Sequence, residues 1–143
     1  MSKLTSGLAA LAMLAGAGSA LAEDAAPQPA LAIELNAVQP VEGGCRVTFL
    51  ATNGLGSPLD RAAVEMALFK TDGAIERIVT LDFKGLAEGK TKVLQFQLTG
   101  LDCAALGRVL INDITACEGA AFAADACLPA LVTSARPDIA FGV

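Results

Sequence analysis

The chain has 143 residues, with ten Lys and Arg against fifteen Asp and Glu, and it contains no Trp, Tyr or His. At a net charge of −5 it lacks the concentrated basic surface that nucleic-acid phosphates or anionic membranes demand. Without histidine it also lacks the commonest general base and metal ligand, and with them the Ser-His-Asp and Cys-His constellations.

Residues 1–22 read as a cleavable secretory signal: Lys3 precedes the apolar run Gly7 to Ala15, and Ala20 and Ala22 supply the small residues a signal peptidase needs. The run is shorter than the roughly 20 residues of a permanent membrane span. No Arg-Arg pair precedes it and no Cys follows the cut, so the general secretion route and an unlipidated periplasmic or secreted product are expected. Residues 23–30 hold two prolines and no large apolar side chain, the composition of a flexible leader. The domain proper is expected over residues 31–143.

From Ala30 the apolar residues follow a period of two in short runs broken by Gly, Pro, Asn and Asp, which predicts an all-β domain. The first strand is expected over Ala30 to Val38, with Leu31, Ile33 and Leu35 on one face, before a turn at Pro40 to Gly44. Cys45 to Thr52 is the second, and Asn53 to Pro58 should be a loop. A third strand runs from Ala62 to Lys70, and Asp72-Gly73 predicts a two-residue hairpin turn of the primed type into a fourth, Ala74 to Phe83. Counted outward from that turn, Met66 faces Val79 and Val64 faces Leu81 in one row, while Glu65 meets Thr80 and Ala67 meets Ile78 in the other. After a turn at Gly85 to Gly89, strand five spans Lys90 to Leu98, with Leu94, Phe96 and Leu98 inward and Gln95 and Gln97 toward water.

Gly107 to Ala116 reads as a sixth strand with polar residues on both faces, which predicts a central strand covered on both sides. On that reading at least one of Asn112 and Asp113 is buried, to anchor a loop or contact a ligand. The tail from Leu128 supplies a seventh strand in one or two pieces broken at Pro137, and Gly119 to Ala135 fits strand, loop or a short helical turn equally well. Seven short strands predict a single antiparallel sandwich of immunoglobulin-like or fibronectin type III-like kind, with a small barrel as the alternative.

Four cysteines in an exported chain predict two disulfides. In such a sandwich strands two and five are antiparallel neighbours, which brings Cys45 to Cys103, and Cys117 and Cys127 close the connection after strand six. No C-x-x-C or zinc spacing offers another role, and neither a calcium loop nor a dinucleotide fingerprint is present, so no metal or cofactor is expected. Glu65 and Glu76 fall on a solvated face, and Asp60, Asp72 and Asp102 beside turns, without the spaced carboxylate pair of a glycosidase. Ala67, Phe69 and Ile78 mark a candidate partner surface on the outer face of the hairpin.

Asn53-Gly-Leu-Gly after strand two, and Leu86-Ala-Glu-Gly-Lys-Thr91 before an alternating strand, resemble inter-strand turns of bacterial extracytoplasmic immunoglobulin-like and fibronectin-like modules, cell-adhesion-related ones among them. The chain as a whole resembles small exported proteins of α-proteobacteria. The resemblance implies a sandwich fold and an extracytoplasmic site of action, and carries no functional residues. The expected function is a non-enzymatic module that binds or braces another envelope protein; an enzyme working with carboxylates or lysines alone, or a small-ligand carrier, is the alternative.

Overall fold

A computed structural model describes residues 28–143; the expected export signal, residues 1–22, and residues 23–27 of the expected leader lie outside the described residues. Among the described residues, eight strands form two sheets of four. β1 (Ala30–Val41), β2 (Gly44–Gly54), β5 (Thr91–Thr99) and β7 (Leu131–Ala135) make one, in the order β5-β2-β1-β7. β3 (Leu59–Lys70), β4 (Ile75–Leu86), β6 (Leu106–Glu118) and β8 (Ala140–Gly142) make the other, in the order β4-β3-β6-β8.

Period-two patterning sends one row from each sheet into a shared core: Leu31, Ile33, Leu35, Val47 and Phe49 from the first, Val64, Met66, Leu68, Val109 and Ile111 from the second. Four of the six phenylalanines tie the layers together. Phe49 of β2 lies 5.9 Å from Phe83 of β4 and 5.7 Å from Phe141 of β8, and Phe83 stacks on Phe96 of β5 at 5.8 Å.

The sheets are mixed, which corrects the expectation of seven purely antiparallel strands: β7 runs parallel to β1 and β8 parallel to β6. The cause is strict up-and-down alternation. Odd-numbered strands then share one direction and even-numbered strands the other, so a tail that reverses around Pro137 and reaches back to the first and sixth strands must meet both in parallel. The Arg136 N–H donates to the Leu35 carbonyl at 2.9 Å as the chain leaves the first sheet.

Turns also differ from expectation. Pro40 still belongs to β1, opposite Cys45, and the turn is Glu42-Gly43, with Gly43 at φ 77°. Between β3 and β4 only Gly73 has positive φ, at 88°, so the loop has three residues: the Lys70 carbonyl accepts from the Gly73 N–H at 2.9 Å and the Lys70 N–H donates to Ala74 at 2.8 Å. The body of the hairpin nevertheless pairs Met66 with Val79, Val64 with Leu81, Glu65 with Thr80 and Ala67 with Ile78, because a bulge between Leu68/Arg77 and Phe69/Ile75 absorbs the extra residue at Glu76. The stretch from Gly119 is turns ending in a single 3-10 turn at Leu128–Ala130.

Candidate functional site

Backbone polarity makes the sheet edges the first places to look, since an edge strand presents unpaired N–H and C=O groups along one side. Three of the four edges are blunted. β7 has five residues and β8 has three. β4 has twelve, but its register with β3 shifts in three places, and Lys84 sits at φ 59°, held there by its own N–H donating to Asp82 Oδ1 at 2.9 Å. Arg61 and Lys84 meet Asp82 at 3.2 and 3.3 Å, so this edge also carries fixed charge.

β5 has none of these devices. Its nine residues pair with β2 without a register shift, from Thr91 opposite Thr52 to Thr99 opposite Gly44, where a Cβ on Gly44 would collide with the Leu98 carbonyl. It contains no proline. Thr91, Val93, Gln95, Gln97 and Thr99 form its outward row, uncharged throughout, and Val93 is 62% exposed. Leu94 and Leu98 point into the core beside half-buried Phe96. The strand's one charge, Lys92, is turned aside: its Nζ donates to the Phe83 and Gly85 carbonyls of β4, each at 3.0 Å. Among the described residues, no turn or loop backbone hydrogen bond occupies Thr91 to Gln97.

A shallow groove of about 230 Å³ adjoins this edge on the outer face of the first sheet, between Ala32, Leu50, Thr52, Thr91 and Val132. A second cleft, about 190 Å³, lies at the hairpin end. Phe69, Leu101 and Leu106 line it, with Lys70, Glu76 and Asp102. Glu76 is paired with Arg77, and Asp102 accepts from the Ala104 N–H at 3.0 Å.

The carboxylates with resolved shifts move downward. The hydrogen bond from Arg77 holds Glu76 below its ordinary range, and the Lys84 N–H, then Arg61 and the Lys84 amine, do the same for Asp82. Both stay ionised, whereas a general acid at neutral pH needs the opposite shift.

The residues singled out in the sequence fall as follows. Cys45 is bonded to Cys103 and Cys117 to Cys127, with Cα separations of 5.3 and 5.9 Å, the pairs that strand order indicated. Asn112 and Asp113 are both exposed, against the expectation that one is buried and that β6 is covered on both faces. A bulge lies between the pairs Glu65/Asp113 and Met66/Ile111, so two consecutive polar residues face outward, and β8 reaches only Arg108 to Leu110. Asn112 Nδ2 donates to Glu65 Oε1 at 2.6 Å, and Asp113 Oδ1 accepts from the Ile114 N–H at 2.8 Å. Ala67, Phe69 and Ile78 share the outer face, yet they do not form a continuous exposed patch. Ala67 is 4% exposed between Ile78 and Leu110, and Phe69 is half-buried with the Arg108 guanidinium 5.6 Å from its ring centroid. Ile78 alone is open, at 55%.

Sequence reasoning missed Val93 and the open edge, although the signal was present: β5 is the one long strand whose outward row has neither charge nor proline. It also placed Asn53 in a loop, where the structure buries it completely at the end of β2. A comparison with protein-family models, curated proteins and solved structures finds no match to this chain.

Proposed function

We propose that this protein is a non-enzymatic, exported β-sandwich of immunoglobulin-like kind, working in the periplasm or outside the cell, that binds another protein by accepting an extended segment onto the free edge of β5. The observation that carries this reading is the contrast among edges: three are shortened, bulged or charged, and the fourth is long and regular with an uncharged outward row. Strand addition suits such an edge, because ladder hydrogen bonds supply affinity and alternate side chains supply selectivity. Two disulfides agree with an oxidising compartment.

Site-specific photo-cross-linking in cells exporting the protein tests the proposal. A cross-linker at Val93 or Gln95 should give discrete adducts that one at Thr80, on the outer row of β4, does not. Equal labelling from all three positions, or none from β5, would overturn it. A small-ligand role has one observation behind it, the cleft lined by Phe69, Leu101 and Leu106; its 190 Å³ is below the roughly 300 to 1,000 Å³ of pockets that enclose a drug-sized ligand.

A further inference from the structure

We infer that Asn53 is a fold-gated modification site: it loses its side-chain amide to attack by the Gly54 nitrogen when the turn from Asn53 to Ser57 opens, and keeps it while that turn is closed. The inference is independent of the β5 edge. Asparagine before glycine is the pair in which this reaction is least hindered, because no Cβ on the second residue shields its nitrogen. A bond forms between the Gly54 nitrogen and Asn53 Cγ, the Cγ–Nδ2 bond breaks, and ammonia leaves with the proton of the Gly54 N–H. Water then opens the cyclic imide to an aspartate or its β-linked isomer, with no oxidation or reduction.

The structure dictates both members of this labile pair. Gly54 stands opposite Ala30 in the β1–β2 ladder, where a Cβ would lie 2.9 Å from the Ala30 carbonyl oxygen. Position 53 must supply donors to the Ser57 and Leu86 carbonyls and an acceptor to the Leu55 N–H, a set that a short neutral amide offers and a carboxylate does not. The same bonds form the gate. Asn53 is fully buried, its N–H donates to the Lys90 carbonyl at 3.4 Å, and its carbonyl accepts from the Gly89 N–H at 2.7 Å. Its Cγ cannot swing onto the Gly54 nitrogen without stripping two carbonyls and an N–H of their partner. Once converted, the side chain turns a negative charge on the Ser57 and Leu86 carbonyls, so the closed turn is weakened for good. Asn53 thereby records whether a chain has been opened. The other two asparagines, Asn36 and Asn112, precede Ala37 and Asp113 and serve as slower internal references.

The test is peptide mapping by mass spectrometry of the disulfide-bonded protein held at mildly alkaline pH, in buffer and in guanidinium above the unfolding midpoint. In the unfolded chain Asn53 should convert faster than Asn36 and Asn112. In the folded chain its conversion should slow by about a hundredfold or more, in proportion to the share of molecules with the turn open, and should rise with sub-denaturing guanidinium. Gly54→Ala, compared with the parent in the unfolded state where its clash has no consequence, should slow conversion at Asn53 alone. Converted protein, separated by its added negative charge and returned to buffer, should unfold at lower guanidinium than the parent, and Asn53→Asp made directly should do the same. Equal conversion of Asn53 in folded and unfolded chains would overturn the inference, as would an unfolded Asn53 no faster than Asn112. Converted chains that unfold at the parent's midpoint would overturn it too.

Discussion

Asn53 is fully buried, and every polar atom of its side chain is used. Its Nδ2 donates to the Ser57 and Leu86 carbonyls at 2.9 and 3.0 Å, and its Oδ1 accepts from the Leu55 N–H at 3.0 Å. One side chain thus fixes the 54–58 loop and the end of β4 together. Asn53→Ala should cost about 2 to 3 kcal/mol in urea unfolding, since it orphans buried backbone groups. Asn53→Asp should cost more at neutral pH, because a carboxylate there faces two carbonyls. In the sequence this residue looks like ordinary loop punctuation before Gly54, whereas Asn112 and Asp113 interrupt an apolar strand. The bulge reverses that appearance, and a bulge of one residue leaves no periodic trace long enough to read.

Asp82 and Glu76 contribute to the acid limb of stability. Their folded pKa values lie below the ordinary ones, so each contributes stability that is present above the unfolded pKa and lost as pH falls through the folded value. The window opens near the ordinary carboxylate range, about pH 4, and extends downward. Asp82→Asn should therefore lose less stability than the parent across that window, and added salt should shrink the difference because these groups face solvent. Chemical unfolding as a function of pH checks both statements; a variant whose acid limb matches the parent's contradicts them.

Among elements, the β3–β4 hairpin shows how far patterning carries. Its register follows from the alternation of Val64 and Met66 against Val79 and Leu81, which a one-residue slip would turn inside out. The turn type did not follow, because Asp-Gly serves both a two-residue turn and a three-residue loop whose extra residue the bulge at Glu76 takes up. The disulfides act at the same scale. Cys45–Cys103 closes a separation of 58 residues and Cys117–Cys127 one of 10, so double-Ala variants should lose about 4 and about 3 kcal/mol by loop-closure entropy. Equilibrium unfolding of each variant measures these losses. The shorter loop carries Phe122, which packs against the core, so its loss should spread beyond the bond itself.

At the scale of the whole molecule, a two-layer all-β fold and its core rows were legible because alternation repeats over many residues. The partnering of the tail was not. Nothing in Leu131 to Val143 distinguishes a strand that closes one sheet from two strands that join both, and parallel pairing emerges only once the order of all eight is set. The open edge of β5 is likewise a property of the assembled sheets, since only strand order makes Thr91–Thr99 an edge. Residue-resolved amide exchange tests that edge most directly. Alternate amides of Thr91–Thr99, those pointing away from β2, should exchange freely in dilute protein and become protected about tenfold or more when the edge is occupied, with the β2-facing amides unchanged. Outward amides that are already slow in the dilute protein, or that stay fast once a partner is bound, would contradict the account.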